Sequence, residues 1–346
     1  MFGMKVGAAM IAATTFLAGA AHQAASAADE VNVYTYRQPE LIEPIFDRFT
    51  AETGIKVNVL FAKKGLLERI QAEGANSPAD LVIAPEVGLL IRMKEAGVTQ
   101  PVQSGVLEDA IPAKFRDGEG HWVGLTSRSR VFFVAPERVE AGALDTYEDL
   151  ADPQWKGRIC IRSGQHPYNI ALFSAMIARD GVEKTEEFLR GLKANLARKP
   201  QGGDRDQIKA VAAGECDVAV GNTYYYGGML ASEDQRAVAE QVKLVYPAQD
   251  AYGAHMNVSG AVMVKSAPNA GAALKLLEFM VTDEAQKIYA EANYEYPVKP
   301  GVEQAEIVKA WGDFMEDDIA LDRIAEFQAE AVKLVDKVQF DEGPSS

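Results

Sequence analysis

The sequence predicts a two-lobed α/β protein in which each lobe is a mainly parallel sheet flanked by helices, with a hinge of crossing strands. Strand and helix patterns alternate along the chain, which is typical of βαβ units. The 346 residues exceed the size of one simple core. We expect a first lobe of residues 28–126 plus 251–301 and a second lobe of residues 127–250 plus 302–346.

The N-terminal segment has the pattern of a secretory signal peptide over residues 1–27. Lys5 supplies the basic part, Val6–Ala20 the apolar part, and Ala25-Ser26-Ala27 a small-residue cleavage site. The apolar part is too short for a transmembrane anchor. We therefore expect cleavage near Ala27 and export to the periplasm.

The charge balance is acidic, with 35 basic and 50 acidic residues and a formal net charge of −15. This balance disfavours nucleic acids and anionic membranes as partners but not a cation as ligand. No later stretch is apolar enough to span a bilayer, so we expect no membrane insertion. The expected state is a monomer.

The first lobe opens in the order βαβαβ, which predicts a parallel sheet. Pro39 in the first helical turn and Gly54 after the last are start and stop signals. The expected strands are Val31–Tyr36, Ile55–Phe61 and Asp80–Ala84, and the expected helices are Pro39–Thr53, Gly65–Ala75 and Glu86–Ala96.

A long strand pattern at Val123–Pro136 is predicted to cross into the second lobe. It carries Arg128 and Arg130 on one face, because alternate residues of a strand share a face. Asn257–Val264 is predicted to cross back. The expected helices are Ile170–Arg179, Val182–Leu196, Arg205–Ala213, Pro268–Thr282, Glu284–Ala292 and a helical tail at Ala305–Val338, and Asp341–Ser346 is expected to fray.

The two cysteines, Cys160 and Cys216, both lie beside strand-like runs of the second lobe. In an exported protein they suit a disulfide that ties the two strands together. The alternative is a pair of buried free thiols.

Three consecutive tyrosines, Tyr224 to Tyr226, follow the predicted strand Asp217–Val220. They stand where a strand ends and a helix begins, which is a common ligand position in α/β proteins. Tyr168, 56 residues earlier, stands at a second loop-to-helix junction. If the strands are neighbours the phenols converge, whereas the alternative interpretation is that such aromatic runs fill a core.

Convergent phenols suit Fe³⁺, since phenolate is a hard anionic ligand and Fe³⁺ a hard, acidic cation. A zinc site would need histidine or cysteine, and the three histidines after the signal segment have no paired spacing. Three phenolates neutralise Fe³⁺ and fill half an octahedron, so a carbonate or bicarbonate anion suits the rest. Arg128 and Arg130 are the candidates to hold that anion; the alternative for either is a surface strand charge.

Several segments together resemble the periplasmic ferric-ion-binding proteins, the receptors of ABC-type iron importers with a transferrin-like fold. The resemblance covers essentially the whole chain after the signal segment. It is carried by VNVYTYRQPELIEPIFDRFT, SPADLVIAPE, GLTSRSRV, WKGRICIRSG, ANLARKPQGGDRDQIKAV, GNTYYYGGML and EYPVKPGV.

The resemblance implies a receptor that takes Fe³⁺ to an inner-membrane ABC permease and has no enzymatic activity. It places the metal ligands at Tyr168, Tyr224 and Tyr225 and makes Tyr226 a packing residue. The anion-binding arginine falls on Arg128, with Arg130 as the alternative.

The chain departs from many members of that family just after the first strand, where they carry a His-Tyr pair or a histidine used with a later glutamate. Gln38-Pro39 stands there instead, and proline cannot ligate a metal. Ligation from the first lobe is therefore open, and Arg37 and Gln38 are expected to face the anion or water in the cleft. The other class kept open is a receptor for a small organic cation or anion, of polyamine, thiamine or phosphonate type, with the tyrosines as an aromatic box.

Overall fold

A computed structural model describes residues 30–344 together with Met1 and Gly3. The predicted signal peptide and cleavage site thus fall outside the continuous described range. None of the helices in residues 30–344 is both long and apolar enough to cross a membrane.

Strands and helices alternate through most of the described range. The strands are β1 Glu30–Thr35, β2 Lys56–Phe61, β3 Leu81–Ala84, β4 Thr99–Gln100, β5 Trp122–Val134, β6 Ile159–Cys160, β7 Val218–Asn222, β8 Lys243–Val245, β9 Met256–Val264 and β10 Tyr296–Pro297. The helices are α1 Glu43–Thr53, α2 Leu66–Glu73, α3 Val87–Glu95, α4 Gly105–Ala110, α5 Pro167–Asp180, α6 Val182–Asn195, α7 Asp204–Ala212, α8 Thr223–Ala231, α9 Glu233–Ala239, α10 Ala270–Met280, α11 Asp283–Asn293, α12 Glu306–Lys309, α13 Leu321–Glu326 and α14 Gln328–Lys337.

The first lobe begins with the predicted parallel pairing, because β1 lies between β2 and β3 and runs parallel to both. Helix α1 turns Ile45, Phe46 and Phe49 into the core. Gly54 ends this helix at φ 72°, a left-handed conformation that glycine adopts without a Cβ clash. The predicted helix start at Pro39 is a separate short 3₁₀ turn, and the α-helix begins at Glu43.

Two buried strands connect the lobes, as the sequence predicts. The first part of β5 pairs antiparallel with β9, and its last part pairs antiparallel with β7. Strand β9 also pairs with β3 of the first lobe. These antiparallel pairs lie beside the parallel ones in one continuous strand order, so the sheet of the described residues is mixed.

The second lobe places β6 parallel to β7. Cys160 and Cys216 form a disulfide with their Cα atoms 5.9 Å apart, which confirms the predicted bridge. Because Cys160 lies in β6 and Cys216 two residues before β7, the bond ties together the strands that precede the two tyrosine-bearing helices.

The C-terminal helix is more interrupted than the sequence predicts, and the residues that follow it are better ordered. The predicted single helical tail is three helices, of which α13 packs between α3 and α5 and puts Leu321 and Ile324 in the first-lobe core. The fraying expected from Asp341 is wrong for its first residues. Phe340 is fully buried, and the Asp341 carboxylate accepts hydrogen bonds from Ser163 Oγ at 2.5 Å and Gly164 N at 2.6 Å.

Candidate metal centre

The tyrosines stand in the first turns of two helices whose starts face each other. Tyr168 is the second residue of α5, after the N-cap His166 and Pro167. Tyr224 and Tyr225 are the second and third residues of α8, whose N-cap is Asn222. The position at both loop-to-helix junctions is the one that the sequence predicts.

The phenols of Tyr168 and Tyr224 meet in a cleft of about 310 Å³, with their oxygens 3.1 Å apart. The ring of Tyr225 lies against that of Tyr224, at 4.2 Å between centroids, and lines the same cleft. All three rings are half-buried. The fold therefore brings together three phenols from parts of the chain more than fifty residues apart.

Each of the three rings has a guanidinium group beside it. Arg162 lies 5.3 Å from the ring centroid of Tyr168, and Arg205 lies 5.0 Å from that of Tyr225. Arg128 lies 5.9 Å from the centroid of Tyr224. Arg128 favours the ionised form of Tyr224 and Arg162 that of Tyr225, although Glu295 and Asp204 lie within 4 Å of these two guanidinium groups.

Burial nevertheless favours the protonated form of Tyr224 and Tyr225. It is the main cause that raises the pKa of Tyr225 to about 12, with the neighbouring Tyr168 adding to it. Burial and the same neighbour raise the pKa of Tyr224 well above its usual value, and Arg128 only partly opposes this. A ligand that takes these side chains as phenolates must supply enough positive charge to displace their protons.

Arg128 has unused hydrogen-bonding capacity at the edge of the cleft. It is 1% exposed, and its Nη2 donates to Ser259 Oγ at 2.8 Å and to the Pro85 carbonyl. No partner within the described residues is found for its Nε and Nη1, although both atoms are buried. Buried donors of this kind cost free energy unless an acceptor satisfies them.

The first lobe contributes a buried ion pair at the opposite wall. Arg37 donates to both carboxylate oxygens of Glu295, at 3.1 and 2.9 Å, and Thr126 donates to the same carboxylate at 2.9 Å. Arg37 is thus held by Glu295 but still lines the cleft. Gln38 lines it too, with an exposed side chain.

The two candidate arginines of β5 have different surroundings. Arg130 does not line the cleft. Its guanidinium donates to Asn169 Oδ1 at 2.9 and 2.6 Å, to Asn222 Oδ1 at 2.9 Å and to Asp204 Oδ2 at 3.1 Å. Of the two, Arg128 is therefore the one positioned to meet an anion.

Tyr226, the third residue of the run, lies outside the cleft. Its hydroxyl donates to the Val242 carbonyl at 2.7 Å, and its ring packs against Phe133 and Trp311. The helical turn explains the difference, since successive residues of a helix point about 100° apart.

Sequence reasoning gave no role to several residues that shape this site. Arg205 and Glu295 belong to segments already singled out, GGDRDQ and EYPVKPGV, but nothing in those segments shows which face meets the tyrosines. Tyr294 lines the cleft at φ 57°, an uncommon conformation for a non-glycine residue. It approaches Gly227 so closely that a Cβ there would lie 2.5 Å from its own.

Comparison with known proteins identifies the family. Residues 76–317 match the model for bacterial extracellular solute-binding proteins. The chain is 44% identical over 311 residues to iron uptake protein A1 of Synechocystis sp., covering 89% of this chain and 86% of that protein.

Solved structures agree in sequence and in fold. The apo ferric ion-binding protein A of Pasteurella haemolytica is 50% identical with a TM-score of 0.87, covering 91% of this chain and 99% of that one. A Trichodesmium protein (IdiA, FutA) in complex with iron and citrate ligands is 42% identical with a TM-score of 0.85, over 90% and 99% of the two chains. This chain therefore belongs to the bacterial extracellular solute-binding proteins and has their two-lobed fold.

Proposed function

We propose that this protein binds one Fe³⁺ in its cleft through Tyr168, Tyr224 and Tyr225 and delivers it to an ABC-type importer. The observation that carries the proposal is the 3.1 Å contact between the phenol oxygens of Tyr168 and Tyr224, with Tyr225 lining the same cleft. Three phenolates match the charge of Fe³⁺, and the named relatives are ferric-ion-binding and iron uptake proteins. The export pattern of the N-terminus supports a periplasmic location.

A small oxyanion completes the metal shell in this proposal. Arg128 Nε and Nη1 are buried donors for which no partner within residues 30–344 is found. A guanidinium edge fits a planar oxyanion such as carbonate or a carboxylate, because two donors reach two oxygens at once. The resemblance favours carbonate, and the Trichodesmium relative holds iron with citrate.

A small organic cation such as a polyamine or thiamine is the weaker candidate. The tyrosine faces that would form an aromatic box already lie beside guanidinium groups, those of Arg128, Arg162 and Arg205. These ring faces therefore already have cations beside them, whereas Fe³⁺ would bind the phenolate oxygens. An organic anion of phosphonate type meets no such objection, so the experiment must include one.

The test is a metal titration of the chain without residues 1–27, followed by its visible spectrum. We expect one Fe³⁺ per chain and a tyrosinate-to-iron charge-transfer band. A polyamine, thiamine or an alkylphosphonate should neither produce this band nor displace the bound iron. Tight binding of one of these organic compounds without iron, and no band with iron, would overturn the proposal.

The anion is tested by repeating the titration with and without bicarbonate in wild type and in Arg128→Ala. We expect bicarbonate to strengthen iron binding in wild type and to have little effect in the variant. Arg128→Lys should resemble Arg128→Ala, because lysine keeps the charge but loses the fork of donors. If bicarbonate changes neither affinity nor spectrum in wild type, the anion part of the proposal is wrong.

A further inference from the structure

A buried polar cluster lies behind the three tyrosines, and iron ligation alone does not account for it. We call it the Asp204 cluster, and its members are Arg130, Arg162, Asn169, Asp204 and Asn222. All of them except Arg162 are at most 1% exposed. The GGDRDQ segment, which the resemblance singles out without a role, places Asp204 here as the first residue of α7.

One side of the cluster holds the segment that leads into Tyr168. Arg162 Nη1 donates to Asp204 Oδ1 at 3.0 Å. Asn169, the residue after Tyr168, accepts from Arg130 and donates its own amide to the carbonyls of Arg162 and Ser163, at 3.1 and 3.0 Å. The start of α5 is thereby tied to the Asp204 carboxylate.

The other side of the cluster holds the junction that leads into Tyr224. The backbone N–H of Asn222, which is the N-cap of α8, donates to Asp204 Oδ2 at 2.8 Å. Arg130 Nη1 reaches both Asn222 Oδ1 and Asp204 Oδ2, at 2.9 and 3.1 Å. One carboxylate therefore contacts both tyrosine-bearing junctions.

We propose that Asp204 is a positioning residue that, through Arg130 and Arg162, sets the spacing of the tyrosine phenols before the metal arrives. The inference rests on the proposed function, since it assigns the cluster to the geometry of that same site. Its charge is needed because two guanidinium groups and one backbone N–H converge on it. An asparagine would keep the shape of the side chain, but its NH₂ group would face the donors of Arg130, Arg162 and Asn222.

The chain contains a matched control at the other end of β7. Asp217 accepts from Arg138 Nε at 2.5 Å and from Arg158 Nε at 2.6 Å, so it too is one carboxylate between two arginines. It lies directly before Val218, where the strand begins, and away from the tyrosine junctions. Asp217→Asn therefore removes a similar ion cluster from the same lobe without touching the site.

The experiment compares wild type, Asp204→Asn and Asp217→Asn, all without residues 1–27. Iron affinity is measured by competition with a chelator, and the number of tyrosinates per bound iron by ultraviolet difference absorbance at saturating iron. For Asp204→Asn we expect affinity lower by about 10-fold or more, fewer than three tyrosinates per iron and a shifted visible band. Asp217→Asn should keep the wild-type affinity and spectrum even if its melting temperature falls.

A folded Asp204→Asn protein with wild-type affinity and spectrum would overturn the inference, and so would an equal spectral change in Asp217→Asn. If Asp204→Asn does not fold, Asn222→Ala replaces it, because this variant removes one acceptor of Arg130 without leaving a buried charge unpaired. It should shift the band in the same direction by less, and a wild-type spectrum would then overturn the inference. If wild type itself shows no tyrosinate-to-iron band, the proposed function fails and the positioning role fails with it. If wild type shows the band and Asp204→Asn has the same affinity and spectrum, only the positioning role is wrong.

Discussion

Residues of one type that are close in sequence have different surroundings in this protein. Tyr225 lines the cleft, whereas the hydroxyl of Tyr226 donates to a backbone carbonyl in the core. Arg128 has two buried donors for which no partner is found among residues 30–344, whereas Arg130, two residues later, is bound to three polar side chains. Residue type alone does not show which member of each pair faces the cleft, so each residue must be tested with its own variant.

Replacing Tyr168 by Phe should remove one metal ligand while leaving the ring in place. We expect iron affinity to fall by more than about 100-fold, since losing a ligand should exceed the 10–100-fold cost typical of residues behind the ligands. The visible band should also shift. Tyr226→Phe is the control, because its hydroxyl lies outside the cleft, and an equal effect there would contradict the assignment within the run.

Iron affinity should fall steeply as the pH is lowered. The pKa of Tyr225 is raised to about 12 and that of Tyr224 well above its usual value, so both phenols carry protons near neutrality. Each proton that the metal displaces costs a factor of ten per pH unit below the pKa. We therefore expect affinity to drop by about 100-fold or more from pH 7 to pH 6. Competition against a chelator of known pH dependence measures this, and a pH-independent affinity would exclude phenolate ligation.

At the scale of elements, the site depends on how two strand-to-helix connections are held side by side. Strand β7 leads directly into α8, and β6 leads through a short loop into α5. Their parallel pairing places both helix starts at the same edge of the sheet. In the connection from β6 to α5, the disulfide holds Cys160, and the Asp341 carboxylate holds Ser163 and Gly164 through hydrogen bonds.

Removing the disulfide should lower the stability of the protein. The bond closes a loop with a sequence separation of 56, for which the chain-entropy picture gives about 4 kcal/mol. Urea unfolding of wild type and of Cys160→Ser/Cys216→Ser should show this difference in unfolding free energy. Wild type measured with reductant should match the double variant, and unchanged stability in both cases would show that the bond contributes little.

At the scale of the whole molecule, the two lobes touch beside the proposed metal ligands. Tyr294, at the end of α11, packs against Gly227 of α8, and both lie next to the tyrosine run. The crossing strands β5 and β9 connect the lobes on a different part of the fold. We therefore predict that the contact at Gly227 limits how far the cleft closes.

Gly227→Ala should hold the lobes apart and speed iron release. The new Cβ would lie 2.5 Å from the Cβ of Tyr294, an atom that no side-chain rotation can move away. Gly271→Ala in α10 is the control, because a Cβ there would meet nothing within 4 Å. We expect a larger radius of gyration for iron-loaded Gly227→Ala by X-ray scattering and faster iron loss to a chelator. Wild-type values for both quantities would show that this contact does not limit closure.

The sequence by itself determined the local features. Alternating strand and helix patterns predicted the α/β class, Gly54 and the tyrosine junctions marked helix boundaries, and Cys160 with Cys216 predicted the disulfide. These predictions succeed because backbone propensities, caps and turn residues act over a few neighbouring positions. The tyrosines of the candidate site were named from the same local signals together with the family resemblance.

Only the tertiary structure decided which distant side chains meet. It pairs Arg37 with Glu295, 258 residues apart, and brings Asp204 into contact with both tyrosine junctions. It also fixes Asp341 through hydrogen bonds from Ser163 and Gly164, where the sequence alone suggested a frayed end. Such contacts depend on strand order and on the crossing of β5 and β9 between the lobes. Sequence spacing carries no information about them, because a charged residue in a polar segment looks the same whether it faces water or a buried partner.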